Sequence, residues 1–359
     1  MRVLISGGGT GGHLFPAIAV AQALSRKEPD ASILFAGRRD GIEARTVAGY
    51  GMPFVAIPAA PLYTERVWRN WTLPLVLGAA LYQCWRLLDR FKPDVVLGTG
   101  GYVSVPLITA AGLARVPIVL QEQNLMPGRA TRVLARFART VATAYPESSR
   151  FLRASTTVVT GTPVRTEFWR RKDDFPAQPR TILVLGGSQG AHRLNQALAD
   201  LLPSLLDRPG LAIMHQTGPR EIGAMQAVKA ALPAPAAARY EPFAFATDLA
   251  DRIRVADLVI SRAGASTLSE VSAIGVPMIL VPYPYAGGHQ RLNVTPYASA
   301  GAAIVIADEE VPGRLRGVLT SVIDDASRYR TMVEAMRGLG RPYAAEEVVR
   351  LLHEAARRH

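Results

Sequence analysis

The sequence has a single cysteine, Cys84, and its aromatic and charged residues make up only 7% and 19% of 359 residues. One cysteine excludes an intramolecular disulfide framework and a metal cluster held by several cysteines, and it fits a reducing compartment. The apolar run at residues 1–7 is too short for the core of a signal peptide, so we expect a cytoplasmic protein. Hydrophobic residues still form 49% of the chain, which excludes disordered and fibrous classes and, at this length, favours two domains.

The positive charge of the chain is concentrated in its first half. Residues 1–165 hold 19 basic and 9 acidic side chains, whereas residues 166–359 hold 22 basic and 20 acidic ones. A strongly basic half favours an anionic partner, which can be nucleic acid, a phosphorylated ligand or an acidic membrane surface.

Residues 66–92 combine apolar side chains on more than one helical face with basic residues on both flanks. A helix of this kind is either buried in a core or lies against lipid, and its basic flanks suit anionic lipid. Pro74, Gly78 and Gln83 interrupt the segment, which falls short of the roughly 20 apolar residues that cross a membrane. We therefore predict peripheral membrane contact, with an ordinary core helix as the alternative. The predicted membrane patch consists of Trp68, Trp71, Leu75, Tyr82 and Trp85.

A pattern of a buried strand followed by glycines occurs twice in the chain, at residues 2–12 and again at residues 181–190. A helical pattern follows each copy, running from Pro16 to Arg26 after the first one, and further strands alternate with helices in both halves. Such alternation predicts parallel α/β sheets whose ligand sites lie beyond the carboxyl ends of the strands. We expect two Rossmann-like doubly wound domains facing a cleft, at residues 1–164 and 165–340. A final helix at residues 341–359 could pack back on the N-terminal domain.

Three turns that follow predicted strands are rich in glycine, at residues 7–12, 98–101 and 186–190. Glycine lets the backbone approach a ligand closely, and a helix that begins after such a turn has a partial positive charge. One such turn can be purely structural, but three in one chain favour a site for several phosphates.

Two other functions remain open from the residues alone. The spacing of Gly7, Gly9 and Gly12 also fits a nicotinamide-dependent oxidoreductase. However, the second predicted strand ends in Arg38 rather than in the acidic residue that binds the ribose of NAD, so that the cofactor would have to be NADP. The non-enzymatic alternative is a membrane-associated protein that binds a nucleotide sugar without turnover.

His13 lies where the first glycine turn becomes a helix. The positive end of a helix disfavours the protonated imidazole, so we expect a neutral ring near pH 7 that can act as a general base on a hydroxyl group. The sequence has no Asp-x-Asp pair and no His, Asp and Glu cluster at ligand spacing. We therefore expect that no metal or other cofactor is required, and that helix dipoles, hydroxyl groups and arginine stabilise a diphosphate leaving group.

Two later segments also place polar side chains where loops become helices. Residues 261–270 follow a predicted strand, and Ser266 suits either a ligand contact or the N-cap of the next helix. Residues 287–293 bring His, Gln and Asn to a similar junction, where amide groups fit the hydroxyl groups of a sugar.

Six motifs occur in the order seen in one family, at residues 8–13, 100–102, 122–124, 162–165, 186–190 and 266–270. On these motifs the chain resembles the MurG family, the bacterial N-acetylglucosaminyltransferases of peptidoglycan synthesis, over essentially its whole length. The resemblance implies a GT-B fold and transfer of GlcNAc from UDP-GlcNAc to the muramyl sugar of undecaprenyl-diphospho-MurNAc-pentapeptide, with inversion and without a cofactor. It further implies a peripheral protein at the cytoplasmic face of the cell membrane, active in wall biogenesis, cell shape and cell division, with no nucleic-acid partner.

By the same resemblance, the C-terminal half binds the nucleotide sugar. Arg165 and Ser188 would contact the diphosphate, Glu270 the ribose, and the backbone near Ala246 the uracil. Asn124 and Gln290 would hold the GlcNAc, and His13 would be the base, with phosphate binding as its alternative role. The residues implied to bind the donor are Thr10, Gly11, Gly12, Asn124, Arg165, Ser188, Gln189, Gly190, Ala246, Arg262, Ala265, Ser266, Thr267, Leu268, Ser269, Glu270, Gln290 and Asn293. The residues implied to bind the acceptor are Gly9, Gly100, Gly101 and Tyr102.

Overall fold

Two compact units make up the structure, a computed structural model that describes residues 1–61, 68, 71, 73–154, 156–187, 189–284 and 288–357. The first unit contains Met1–Thr166 together with Arg341–His359, and the second contains Glu167–Gly340. Three residues named from the sequence lie outside the described residues: Ser188, a predicted diphosphate ligand, and Arg66 and Arg69, which flank the predicted membrane patch.

The first unit is built on a parallel sheet with strand order β3-β2-β1-β4-β5-β6-β7 in its described part. The strands are β1 (Arg2–Ser6), β2 (Ser32–Gly37), β3 (Phe54–Ala56), β4 (Val95–Gly98), β5 (Ile118–Glu122), β6 (Thr140–Thr143) and β7 (Thr157–Val159). The helices are α1 (Gly11–Lys27), α2 (Ile42–Gly49), α3 (Leu73–Phe91), α4 (Val105–Leu113), α5 (Arg129–Leu134) and, at the end of the chain, α15 (Ala344–Arg357).

The second unit has a parallel sheet with strand order β10-β9-β8-β11-β12-β13, again counted over the described residues. Its strands are β8 (Thr181–Leu185), β9 (Ala212–Gln216), β10 (Tyr240–Phe243), β11 (Leu258–Ser261), β12 (Met278–Leu280) and β13 (Ala303–Val305). Its helices are α6 (His192–Leu206), α7 (Ile222–Ala231), α8 (Ala234–Ala237), α9 (Leu249–Val255), α10 (Ala265–Ile274), α11 (His289–Asn293), α12 (Thr295–Ser299), α13 (Val311–Ile323) and α14 (Ala326–Leu339).

Both sheets place their first strand beside their fourth. β1 lies between β2 and β4, and β8 lies between β9 and β11. The direction of strand addition reverses at this point of each sheet, and ligands of doubly wound folds bind beyond the carboxyl ends of the strands there. The predicted fold class of two Rossmann-like doubly wound units is confirmed.

The strands of both units are continuous apolar runs because their parallel sheets are buried. In β1, Val3, Leu4 and Ile5 are fully buried, and in β8 the same is true of Leu183 and Val184. Parallel sheets are covered on both faces, which removes the alternation of polar and apolar residues that marks a half-exposed strand. This is why a short apolar run ending in glycine predicted these strands correctly.

Two segments near the predicted domain boundaries lie in the first unit. The final helix α15 contacts α1 and β5, and the Arg139 Nη1 atom donates to the carbonyl oxygen of Ala355 (3.3 Å). Arg165, expected at the start of the second domain, belongs to the first unit as well.

The helix α3 buries only a narrow stripe of its surface, formed by Ala80, Cys84 and Leu88. Burial raises the pKa of the Cys84 thiol to about 12, so that this group stays protonated and unreactive at neutral pH. In the described part of the chain, no helix combines the length and the hydropathy that crossing a membrane requires.

A buried polar network fixes the start of α6 in the second unit. His215 on β9 contacts the Tyr240 hydroxyl through Nδ1 (2.9 Å) and the Asn195 Oδ1 atom through Nε2 (3.0 Å). The Asn195 Nδ2 atom donates to the Thr217 carbonyl oxygen (2.9 Å). Burial lowers the pKa of His215 to about 3, since the protein interior disfavours a charged imidazole.

We expect the His215 ring to remain neutral in the folded protein well below pH 6.5, which NMR titration of the imidazole nitrogens would measure. An unfolded histidine titrates near its ordinary pKa, so the unfolded state binds one more proton between about pH 6.5 and pH 3. Acidification across that window should lower the free energy of unfolding by about 1.4 kcal/mol per pH unit from this residue. Protonation of His215 near pH 6.5 in the folded protein would contradict the network.

Candidate active site

Two of the three glycine turns come together in the first unit. β1 and β4 are neighbouring parallel strands, so the turns after them, at residues 7–10 and 99–101, leave the same edge of the sheet. The Gly8 N–H donates to the Gly100 carbonyl oxygen (3.4 Å). Gly101 has a φ of +78°, and a Cβ atom at this position would collide with the Gly8 carbonyl oxygen. Only glycine allows both the backbone conformation and the close approach of the two turns.

His13 is held against these turns through its Nδ1 atom. Helix α1 begins at Gly11, earlier than the predicted start at Pro16, so His13 lies in its first turn. Nδ1 lies 3.2 Å from the Thr99 carbonyl oxygen, and the Thr99 hydroxyl donates to the His13 carbonyl oxygen (2.7 Å). A carbonyl oxygen can only accept, so this contact favours a proton on Nδ1, and in an uncharged ring the lone pair then lies on Nε2. That tautomer suits a general base acting through Nε2.

A buried carboxylate fixes the shape of the first glycine turn. Glu43 on α2 is 1% exposed, and its Oε1 atom accepts a hydrogen bond from the Gly9 N–H. The sequence predicts that the backbone N–H groups of this turn face phosphate, but in the structure the Gly9 N–H donates a hydrogen bond to Glu43. The carboxylate therefore orders the turn from within the unit.

The positively charged guanidinium of Arg38 lies beside the same turns. Tyr102 begins a short 3-10 helix, Tyr102–Ser104, and its hydroxyl accepts a hydrogen bond from the Arg38 Nη1 atom (2.7 Å). This contact raises the pKa of Arg38 above its ordinary value, which keeps the guanidinium charged. Arg38 directly follows β2, and β2 is the other neighbour of β1, so its charge lies at the edge of the sheet where the glycine turns lie.

Glu122, at the end of β5, organises the segment that contains Asn124. Its Oε1 atom accepts from the backbone N–H and from the Nδ2 atom of Asn124, both at 3.0 Å. Its Oε2 atom accepts from the Gly128 N–H (3.1 Å), and the Ser148 hydroxyl donates to the Asn124 carbonyl oxygen (3.1 Å). Asn124, a predicted sugar ligand, is thereby held in one orientation within the first unit.

The glycine turn of the second unit also depends on a close backbone approach. The Gly190 N–H donates to the Gly187 carbonyl oxygen (3.0 Å). Gly190 has a φ of +83°, and a Cβ atom there would collide with the Thr217 carbonyl oxygen. The turn that carries the predicted donor ligands Gln189 and Gly190 is thus packed against the segment that follows β9.

The helix α10 begins directly after β11, with Gly264 as its N-cap residue. Ser266 therefore lies inside the first turn and is not the N-cap. Leu268 is fully buried, and its N–H donates to the Gly264 carbonyl oxygen (2.9 Å). The Leu268 side chain therefore packs in the core, and its N–H forms a hydrogen bond of the first helical turn. Glu270 is buried one turn further on. The other predicted donor ligands on this helix are Ala265, which is buried, and Thr267 and Ser269, which are half-buried.

Arg262, another predicted donor ligand, is held by an acidic partner. Its Nη1 atom lies 2.5 Å from the Asp308 Oδ1 atom, and the Asp308 Oδ2 atom accepts from Arg193 (3.0 Å). Asp308 is buried, and its carboxylate therefore joins two arginines from different elements. The Arg262 guanidinium also lies 5.5 Å from the centre of the Tyr283 ring. Arg262 is thus fixed in position before any ligand binds.

The amide of Gln290 connects two loops of the second unit. Its Oε1 atom accepts from the Tyr283 N–H (2.8 Å) and from the Ala263 N–H (3.2 Å). Its oxygen is therefore engaged inside the protein, and the Nε2 atom is the part suited to donate to a sugar hydroxyl. Asn293, three residues further along α11, is fully buried.

Arg165 and Ala246 lie in different units. The Arg165 Nη1 atom donates to the Tyr50 hydroxyl (3.0 Å), and its guanidinium lies 4.4 Å from the centre of the Phe15 ring. Both of these contacts lie in the first unit. Ala246 follows β10 in the second unit and is close to fully buried.

Comparison with known proteins assigns both units to one enzyme class. Residues 3–143 match the glycosyltransferase family 28 N-terminal domain, and residues 181–348 match the C-terminal domain of that family. The chain is 39% identical to the UDP-N-acetylglucosamine--N-acetylmuramyl-(pentapeptide) pyrophosphoryl-undecaprenol N-acetylglucosamine transferase of Moorella thermoacetica, with 98% of each chain covered. The chain belongs to the MurG family.

Further relatives agree with this membership. The similarly named transferase of Desulforudis audaxviator is 36% identical, with 99% of each chain covered. The crystal structure of Acinetobacter baumannii MurG is 31% identical, with a TM-score of 0.78 over 98% of this chain and 99% of that one. MurG-family membership confirms the predicted glycosyltransferase class, and the site residues implied by the resemblance stay predictions.

Several residues that shape the site of this MurG-family chain were not among the predicted ligands. Glu43 and Asp308 position predicted ligands, yet neither stands in a distinctive motif, so the sequence carried no signal for them. Thr99 stands in the glycine turn at residues 98–101, which was a signal from which its role could have been found. Gln123 and Glu122 were within reach, since they share a motif with Asn124. The Gln123 Nε2 atom lies against His13 Nδ1, and a donor cannot face a protonated nitrogen. A proton on Nδ1 therefore requires the Gln123 amide to present its oxygen to the ring instead, where it would accept the same proton as the Thr99 carbonyl.

We expect Gly101→Ala to lower the glycosyltransferase rate at least tenfold, which corresponds to about 1.4 kcal/mol. The added methyl group must push the Gly8 carbonyl away and disturb the two turns that hold His13. Gly49→Ala is the matched control, because a Cβ atom there meets nothing within 4 Å. Steady-state rates of both variants check this, and equal rates would contradict the requirement for close approach.

Proposed function

We propose that this chain transfers GlcNAc from UDP-GlcNAc to the muramyl sugar of undecaprenyl-diphospho-MurNAc-pentapeptide, with inversion at the anomeric carbon. Membership of the MurG family supports this class of reaction, and the names of the relatives support this pair of substrates. The observation that carries the mechanism is the hydrogen bonding of His13 to the glycine turns, which leaves the basic lone pair on Nε2.

The acceptor diphosphate binds, in this proposal, at the glycine turns of the first unit. The N-terminal end of α1 has a partial positive charge, and no acidic residue stands in its first turn. Arg38, bonded to Tyr102, supplies a permanent positive charge at the same edge of the sheet. Gly9, Gly100 and Gly101 let the backbone approach the phosphates closely.

His13 acts in this proposal as the general base. Its Nε2 atom accepts the proton of the acceptor hydroxyl while the hydroxyl oxygen forms the new bond to the anomeric carbon of GlcNAc. The bond from that carbon to the diphosphate breaks at the same time, and UDP leaves. Attack from the side opposite the leaving group inverts the configuration.

The donor nucleotide binds to the second unit in this proposal. The N-terminal end of α10 presents backbone N–H groups and has no acidic residue in its first turn. The glycine turn after β8 leaves the same edge of the sheet, since β8 and β11 are neighbouring parallel strands. Arg262 adds a fixed guanidinium. Positive helix ends and arginine can stabilise the leaving diphosphate, so we propose that no metal or other cofactor is required.

The two alternatives considered from the sequence are less well supported. An NADP-dependent oxidoreductase would not belong to glycosyltransferase family 28, whose two domains match both halves of the chain. A binding protein without turnover would have no use for the histidine tautomer found at the glycine turns.

We expect His13→Ala to lower transfer from radiolabelled UDP-GlcNAc to a short-chain acceptor analogue by about 100-fold or more, as is typical for loss of a general base. The affinity for UDP, measured by calorimetry, should stay unchanged because His13 is not among the residues implied to bind the donor. The wild-type rate should also be the same with and without EDTA.

The outcomes of this assay separate the parts of the proposal. Transfer by both wild type and His13→Ala at similar rates would keep the activity and remove His13 as the base. Tight binding of UDP-GlcNAc without transfer by wild type would contradict the proposed acceptor. A loss of activity in EDTA that Mg²⁺ restores would contradict metal-free transfer.

We also propose that α3, together with Trp68 and Trp71, rests on the cytoplasmic face of the cell membrane. The predicted membrane patch is exposed throughout: Trp71 is 78% exposed and Trp85 is 59% exposed, which argues against the alternative of an ordinary core helix. Exposed basic residues accompany the patch on α3 and on α5. They are Arg86, Arg90, Arg129, Arg132 and Arg136. Aromatic side chains beside arginines suit an anionic lipid surface, and no nucleic-acid partner is proposed.

We expect Trp71→Glu combined with Trp85→Glu to weaken sedimentation with anionic liposomes at least tenfold, while the affinity for UDP stays intact. Two apolar anchors are lost and two negative charges face the lipid. Val159→Glu with Val255→Glu adds the same charge at positions that are also more than half exposed. Unchanged sedimentation of the Trp variant, or an equal loss of liposome binding in the control, would contradict this proposal.

A further inference from the structure

A cavity of about 490 Å³ lies next to the glycine turns of the first unit. Its size falls within the range of roughly 300–1,000 Å³ that is usual for small-molecule sites. His13, Gly101 and Tyr102 contribute to its wall, and so it opens directly onto the proposed acceptor site.

The rest of the wall is mainly apolar and comes from three helices and from the loop at residues 58–61. Leu73, Val76 and Leu77 line it from α3, Val105 from α4, and Val133 and Leu134 from α5. Among the described residues that line it, Arg129 is the side chain with a permanent charge. A cation in an apolar wall beside a glycine turn suits a ligand with an anionic head and an apolar chain.

One face of helix α3 lines the cavity, and another face is exposed at the surface of the unit. Val76 and Leu77 face the cavity, whereas Leu75 and Trp85 belong to the exposed membrane patch. The cavity wall and the membrane patch are therefore parts of one helix. An apolar chain that leaves a diphosphate at the glycine turns can therefore lie along this apolar wall on its way to the membrane patch.

We propose that this cavity binds the first isoprene units of the acceptor's polyprenyl chain. The inference rests on the proposed function and deepens it, because it assigns a protein site to a part of the acceptor that the reaction does not change. The occupant is the acceptor's own chain rather than a phospholipid acyl chain, since the cavity shares His13, Gly101 and Tyr102 with the proposed diphosphate site. In this proposal, a chain bound in the cavity helps to hold the acceptor's diphosphate at the glycine turns, next to His13.

The test compares two soluble acceptor analogues in the absence of vesicles, with the same diphospho-MurNAc-pentapeptide head. One has a chain of several isoprene units, and the other has a butyl group too short to fill the cavity. We expect the wild type to have the lower KM for the prenyl analogue. Val76→Trp should fill the cavity and raise the KM for that analogue at least tenfold, with little change for the butyl analogue or for UDP-GlcNAc.

The control is Ala79→Trp, which adds the same side chain to an exposed position of α3 outside the cavity wall and should leave both acceptor KM values unchanged. Val133→Asn provides a second variant, since a polar group in the opposite wall should raise the KM for the prenyl analogue in the same selective way. The butyl analogue and UDP-GlcNAc report in each case that the variant is folded.

Equal effects of Val76→Trp on both acceptors, or none on either, would overturn the inference. Val76→Trp can also be tested for sedimentation with liposomes. If it loses liposome binding while the ratio of its two acceptor KM values equals that of the wild type, the cavity binds a phospholipid chain, and the inference is overturned. Failure of the proposed function would look different, because then the wild type would transfer GlcNAc to neither analogue.

Discussion

The contact between the two glycine turns of the first unit is the constraint on which the proposed acceptor site depends. β1 and β4 are neighbours in the sheet, and their turns meet so closely that the Gly8 carbonyl oxygen occupies the space of a side chain at Gly101. The same contact brings the Thr99 carbonyl to His13 and so selects the tautomer of its ring. A larger residue in either turn would separate the proposed base from the proposed phosphate site.

The two units share one sheet topology, but their arginines differ in whether they are paired with a buried carboxylate or exposed. In the second unit, the predicted ligand Arg262 is paired with the buried carboxylate of Asp308, which also binds Arg193. Two arginines share one carboxylate, so this cluster keeps a positive charge. In the first unit, arginines on α3 and α5 stay exposed beside apolar side chains, which places the excess charge of that half on its surface. A buried pair fixes geometry, whereas exposed cations attract anions over a Debye length of about 10 Å. The difference fits a nucleotide site in one unit and a lipid surface on the other.

Sequence reasoning succeeded where a local pattern has one structural solution. Apolar runs such as residues 181–185 are strands because parallel sheets bury both faces, and the glycines after them are turns because few other residues adopt a positive φ. It failed where the answer depended on distant contacts. The start of α1 at Gly11, the N-cap role of Gly264 and the bond between Glu43 and Gly9 each depend on neighbours that the local sequence does not reveal.

The sequence alone determined the class of the molecule: two doubly wound α/β units, glycine turns after their first strands, a basic first half and the membership of a glycosyltransferase family. Only the tertiary structure decided which of these turns touch, since contact follows from the order of strands in the sheet and not from the order along the chain. It also decided that Arg165 lies with Tyr50 and Phe15, and that α3 divides its apolar side chains between a cavity and an exposed patch. Periodicity records that a residue is apolar, but the neighbouring helix determines whether that residue faces solvent or the interior.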